Sequence, residues 1–308
     1  MDGSVARPRP FLALGLRLAT AATLATMAML VKLASERGAH LAELVFWRQA
    51  ITLVCVTALL AGTGQLRSIR TQRFGSHARR AAFGITGMFF VYGAVILLPL
   101  AEATVISFTA PFFAVMLSVI LFREKVGLYR WFAVALGFAG VVVLTQPAFG
   151  VGAETSIDPL GAVVGLVAAL LVAAISFQVQ DLNKTEAPWS IVFWFTALTA
   201  PVMLIALPFI FQPHDPATWG IIVAMALCGA VAQILLTASL RFGSAGVILL
   251  MDYTSLLWAT LYGYTVFDRA PPHSLWLGAP LIIFAGLIIA WRERQLVIAR
   301  QKAETALL

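Results

Sequence analysis

Asp252 stands in the run Leu-Leu-Met-Asp-Tyr-Thr-Ser-Leu-Leu, and Arg48 in Leu-Val-Phe-Trp-Arg-Gln-Ala-Ile. A charge in surroundings this apolar is costly unless it meets a partner or a polar cavity. Ser255 and Ala259 follow Asp252 at i+3 and i+7, which on a helix makes a small, polar face. Such a carboxylate can bind a cationic group or exchange a proton; it can equally be a packing residue satisfied by a neighbouring helix. Arg48 follows Trp47, and its fork of donors suits a carboxylate or phosphate. It could instead pair with Asp252 or Glu43 as an internal strut, or extend its head toward the membrane surface. An amine on Asp252 and a carboxylate on Arg48 would together fit a zwitterionic, amino-acid-like solute.

Further polar residues could join them. Tyr92, Tyr253, Trp258 and Tyr262 can stack on an aromatic or flat ligand, or serve membrane packing as most such aromatics do. Ser107 and Pro111 stand at i and i+4, where the missing backbone donor can kink a helix and free a carbonyl. Gln178 and Gln233 are amides within apolar runs, serving either helix packing or an outer ring around a solute. Arg17 and Lys32 lie nearer the ends of their run and are expected to extend their heads to the interface.

The elements that must position these residues are set by composition. The chain is 61% hydrophobic and 11% charged, against about 45–50% and about 25% for soluble domains. A water-soluble enzyme is excluded. On a ruler of about 20 apolar residues per membrane helix, ten spans are predicted: 11–34, 41–62, 80–99, 101–122, 130–147, 159–181, 189–211, 219–240, 246–267 and 274–291. Tails at 1–10 and 292–308 flank them. With the N-terminus cytoplasmic, sixteen of the 21 Lys and Arg fall on one side and only Lys32, Arg37 and Arg269 on the other. That asymmetry predicts an inner-membrane, multi-pass protein with both termini cytoplasmic. Cys55 and Cys228 lie in apolar runs and the four histidines are scattered, so no metal site and no cofactor are expected. The absence of GxxxxGK[ST] argues against ATP as the driving force.

Residues 101–144 and 245–290 resemble each other. Each passes through a Thr/Ser-bearing apolar helix, reaches an acid–base connector (Arg123-Glu124-Lys125; Asp268-Arg269) and closes on Phe-Ala-Gly. Five spans is an odd number, so a second copy would enter the membrane from the opposite side. The predicted fold is all-α, ten transmembrane helices in two inverted five-helix repeats, 11–147 and 159–291.

Several stretches also carry a family resemblance: Phe46-Trp47-Arg48, Ala103-Thr104 through Thr109-Ala110-Pro111-Phe112, Arg130-Trp131 to Gly140-Val141, Asp252-Tyr253 to Trp258, and Gly286 to Trp291. In this order the chain resembles the EamA-type branch of the drug/metabolite transporter superfamily over essentially its whole length. The resemblance implies ten helices around a central cavity and secondary transport of a small metabolite by alternating access. Export of an amino-acid-like solute is the expected activity; uptake of a larger metabolite such as riboflavin or S-adenosylmethionine is the alternative. Expected partners are a small-molecule substrate and the lipid bilayer, with a homodimer left open and no nucleic acid. No enzymatic activity is expected. The candidate substrate residues are Asp252, Tyr253, Ser255, Arg48, Trp47, Ser107, Gln178 and Gln233, with Asp252 also the candidate for proton coupling and Pro111 the candidate kink.

Overall fold

The computed structural model describes residues 10–123, 126–145, 158–239 and 252–305, and among them there is no strand. The helices are α1 (Pro10–Glu36), α2 (Leu41–Gly62), α3 (Phe74–Leu97), α4 (Leu100–Ser107), α5 (Ala110–Phe122), α6 (Leu128–Thr145), α7 (Pro159–Leu182), α8 (Pro188–Ile210), α9 (Pro216–Ser239), α10 (Ser255–Phe267) and α11 (His273–Thr305). Nine stretches among the described residues are long and apolar enough to cross a bilayer, with α4 and α5 counted as one. The expected ninth span, 246–267, is described only from Asp252 onward; residues 246–251 lie outside the described part.

Helix boundaries follow local chemistry. Asp158 accepts from the Leu160 N–H ahead of Pro159 in the first turn of α7. Asp215 does the same for α9, accepting from the Ala217 N–H and the Thr218 hydroxyl; the Thr218 contact holds its carboxyl below the usual range. Both follow the preference for a carboxylate cap and a proline at the helix start. Two expected boundaries move. α3 begins at Phe74, not 80, because helix propensity carries the chain through charged residues that an apolar count leaves out. α11 continues beyond Trp291 to Thr305, since Arg, Glu, Gln, Ala and Lys are good helix formers and no breaker intervenes.

The fourth span is broken. Helix stops at Phe108–Thr109 and resumes with Pro111 in the first turn of α5. Proline has no N–H to give the Ser107 carbonyl. Thr109 Oγ1 instead donates to the Ile106 carbonyl at 2.7 Å. A turn at Tyr253–Thr254 likewise stands directly ahead of α10. α5 and α10 each have 13 residues, and each ends on a left-handed residue, Arg123 (φ 51°) and Asp268 (φ 50°).

Each half of the chain packs chiefly against the other. α1 lies on α9 and α10, α3 on α7 and α8, α2 on α8 and α9, α4 on α10, α5 on α7, and α6 on α11. One apolar core joins α1, α2, α3 and α9 through Met27, Val31, Leu44, Met88, Tyr92 and Met225. Another joins α4, α5, α6 and α11 through Ile106, Phe112, Leu144 and Ile282. Where α6 crosses α11, the helices touch main chain to main chain. A Cβ on Gly140 would stand 2.9 Å from the Gly278 carbonyl oxygen, and one on Gly278 2.8 Å from that of Gly140. Large apolar side chains such as Ile205, Phe209, Leu257 and Leu277 are exposed on the outer faces, as lipid-facing positions require.

Candidate functional site

Asp252 lies just ahead of the turn at Tyr253–Thr254 that precedes α10, and its partner is Arg17 of α1. Arg17 Nε and Nη2 donate to the two carboxylate oxygens at 2.7 and 2.6 Å. The Arg17 side chain is 12% exposed and that of Asp252 36%. The expectation that Arg17 extends to the interface is therefore corrected: α1 packs on α10, which brings the guanidinium against a carboxylate before it can reach water. Ser255 Oγ donates to the Asp252 backbone carbonyl at 2.6 Å, a carbonyl that the turn leaves without its helical donor. Tyr253 turns toward the fourth span and packs edge-on against Phe108 at 4.8 Å. Its hydroxyl fills the space that a side chain on Gly286 would need.

Arg48 sits elsewhere in the bundle, between α2, α3 and α9. It pairs with neither Asp252 nor Glu43. Nη1 donates to Gln49 Oε1 at 3.3 Å and to Met88 Sδ at 3.1 Å, and Nε is buried with no partner. A Cβ on Gly229 of α9 would stand 3.0 Å from that Nε, so glycine there lets the arginine lie flat on the helix. Gln49 Nε2 in turn donates to Thr199 Oγ1 of α8 at 2.5 Å, and Thr199 Oγ1 to the Phe195 carbonyl at 2.6 Å. Trp47 packs edge-on against Trp219 at 5.3 Å, its indole N–H buried and unpaired. Trp219 is thus drawn into the bundle.

Ser107 ends α4; its hydroxyl is exposed and donates to the Thr104 carbonyl at 2.6 Å. Gln178 lies on α7 with Oε1 buried and without a partner. It stands one turn beyond Ile175, which packs on Gly87 of α3. Gln233 is half-buried on α9, one turn beyond Gly229 on the same face. The candidate residues thus fall into two groups: Asp252, Tyr253 and Ser255 at the start of α10 with Ser107 at the break before α5, and Trp47 with Arg48 among α2, α3, α8 and α9.

Three buried charges escape sequence reasoning. Arg80, the first residue of the expected third span, folds inward along α3 and stacks on Phe195 at 4.3 Å. Its Nε and Nη1 are buried and unpaired. Glu43 is fully buried and meets His214, 4% exposed, at 2.9 Å. Phe211 and Trp219 pack around that histidine. Lys32, 7% exposed, turns inward and gives its ammonium to the carbonyls of Val95 (3.3 Å), Ile96 (3.1 Å) and Leu98 (2.8 Å). Pro99 ends α3 there and leaves those acceptors without amide donors. A polar connector histidine following an aromatic pair, and a lysine placed to meet a proline-terminated helix, were the available signals.

Chemically, the arrangement offers a neutralised carboxylate, a set of unsatisfied guanidinium, indole and amide groups, and aromatic surfaces. Among the described residues no cluster of three His, Cys, Asp or Glu is placed to hold a metal.

The sequence model of the EamA-like transporter family matches residues 11–146 and again residues 159–291. The chain belongs to the EamA-like transporter family. It is a multi-pass membrane protein of that family. The riboflavin transporter of Vibrio cholerae is 28% identical over 249 residues, covering 80% of this chain and 82% of the relative. The riboflavin transporter of Rhizobium johnstonii is 30% identical over 254 residues, 82% of each. The pseudopaline exporter CntI of Pseudomonas aeruginosa is 25% identical over 271 residues, 86% of this chain and 92% of the exporter. A solved crystal structure with 21% identity superposes with a TM-score of 0.58 over 90% of this chain and 98% of its own, a likeness of fold.

Proposed function

We propose that this EamA-like chain is a secondary active transporter that exports a small, amino-acid-like solute across the inner membrane by alternating access. The observation that carries the reading is the double match of one transporter-family model to the two halves of the chain. In this reading ten helices form two inverted five-helix repeats, 11–147 and 159–291, that rock against each other. The packing supports it. Exchanging the halves turns the α1–α9 contact into α7–α3, α2–α9 into α8–α3, and α1–α10 into α7–α5, and all of these contacts occur. The matched lengths and left-handed ends of α5 and α10 support it too. The end rich in Lys and Arg faces the cytoplasm, with both termini.

The proposed solute site comprises Asp252, Tyr253 and Ser255, with Trp47, Arg48 and Ser107, and Gln178 and Gln233 as outer members. Because Arg17 occupies both oxygens of Asp252, a proton or an amine reaches this carboxylate in competition with Arg17. Protonation of Asp252 weakens the pair and frees α1 from the start of α10, which couples a proton to the rocking motion.

A second reading, uptake of a larger flat metabolite, is favoured by the two relatives named riboflavin transporters. Metabolite pools followed in cells and medium separate the two. Cells carrying wild type, Asp252→Asn or no carrier are compared at matched membrane levels. A solute that reaches the medium only with wild type establishes export; depletion of riboflavin from the medium puts uptake first. Pools identical in all three strains would remove both readings.

A further inference from the structure

Among the described residues, Arg48 and Arg80 carry buried guanidinium nitrogens with no acid beside them. Among the described residues no carboxylate forms an ion pair with either: Asp252 is held by Arg17, Glu43 by His214, and Asp181 by Arg73 and Lys184. Arg48 reaches Met88 and Arg80 lies over Gly84, one turn apart on α3. Nothing in a folding chain favours burying two like charges together, since each must lose water without gaining a counter-ion. Such a pair is stable when a third group, absent from the chain, supplies the negative charge.

The surroundings fit that role. Arg80, Gly84 and Met88 follow at successive turns of α3, and Arg48 reaches Met88 from α2. Arg80 folds back over Gly84, where a Cβ would collide with its Nη1 and with the Phe195 ring. Glycine therefore makes the room in which the guanidinium lies. Phe195 bears Arg80 on its ring and, through its carbonyl, Thr199 and Gln49, connects to Arg48. The cations are thus held by one short network between α2, α3 and α8. Free donors remain at Arg48 Nε and at Arg80 Nε and Nη1. Thr52 Oγ1, one turn from Arg48 on the same face of α2, is buried and unpaired as well. Arginine donors in this number suit an oxyanion, taken by two or more charge-assisted hydrogen bonds.

We propose, on the basis of the transporter reading above, that Arg48 and Arg80 form one oxyanion-recognition site and that the transported solute bears a carboxylate or phosphate group. Arg80 is then a specificity residue beside Arg48, and a neutral flavin, with no anionic oxygen to offer, is a poor match.

The purified full-length protein tests this by thermal unfolding at constant ionic strength, with chloride replaced by inorganic phosphate or by succinate. Binding of one of these oxyanions raises the wild-type midpoint by about 3 °C at saturating concentration. Phosphate or succinate as the effective ion tells which oxyanion the site takes. Arg48→Gln and Arg80→Gln abolish the rise, and Arg73→Gln, which alters contacts with Asp181 and Thr185 away from both arginines, retains it. Arg80→Lys keeps the charge without the fork and serves if Arg80→Gln does not fold; it shifts the half-saturating concentration upward about tenfold. No response of wild type to either ion, or an equal response of wild type and the arginine variants, overturns the inference. The metabolite comparison reads the transporter hypothesis separately. A neutral solute moved by wild type would remove the oxyanion site and leave transport standing; an oxyanion response without solute movement would do the reverse.

Discussion

Arg17 holds both carboxylate oxygens of Asp252, at 2.7 and 2.6 Å, across 235 residues of sequence. The pair ties the first helix of one half of the chain to the start of α10 in the other, and its energetics are measurable. Replacing either partner leaves a charge without its complement. Full burial would make that loss about 3–5 kcal/mol; with more than a third of Asp252 exposed, about 1–2 kcal/mol is expected for Arg17→Gln or Asp252→Asn. The double variant is expected to lose less than the sum of the two, by about 0.5 kcal/mol or more. Thermal unfolding of the four proteins gives the coupling, and strictly additive losses would show that the residues do not act on each other.

Gly286→Ala is expected to destabilise by about 1–3 kcal/mol, the usual cost of overfilling a packed interior, because its methyl meets the Tyr253 hydroxyl. Tyr253→Phe removes the colliding oxygen, so the double variant recovers most of the loss. Unfolding midpoints of the single and double variants decide it. Gly220→Ala, whose methyl meets nothing within 4 Å, is the neutral comparison.

His214→Ala strands the fully buried Glu43 carboxylate. A loss of about 3–5 kcal/mol is expected, seen as a collapse of the monodisperse peak on heating and size-exclusion chromatography. Adding Glu43→Gln removes the stranded charge and restores much of the peak. If the double variant is no better than His214→Ala, the histidine acts through packing on Phe211 and Trp219 rather than through charge.

Lys32→Met keeps the length of the side chain and removes three donated hydrogen bonds at the end of α3. Leaving buried carbonyls unpaired costs about 1–3 kcal/mol. A midpoint unchanged from wild type would mean that water replaces the ammonium there.

The helices were legible because each span is a long apolar run bounded by Pro, Gly or Asp, and because such signals are local. The break at Phe108–Thr109 has a local cause of the same kind: the N–H that Pro111 lacks acts within one turn. What escaped was pairing. Arg17, Lys32, Arg48 and Arg80 look alike in one dimension, each a cation in or beside an apolar run. Their fates differ only through which helix lies opposite: a carboxylate for Arg17, a row of orphan carbonyls for Lys32, sulfur and an amide for Arg48, a phenyl ring for Arg80. Helix adjacency is a property of the whole bundle, so the candidate site could be named residue by residue while its two groups could not be drawn apart.

The crossing of α6 and α11 at Gly140 and Gly278 sets what can move. Two backbones in direct contact have no rotamers to exchange and no side chain to yield, so the joint tolerates rotation about the contact far better than sliding through it. It is an axle. Displacement elsewhere in the protein must then be taken up along seams such as α1 against α9, where methionines and small residues can repack. Paired spin labels across those seams should report broad or shifting distances while labels spanning Gly140 and Gly278 keep a single narrow one.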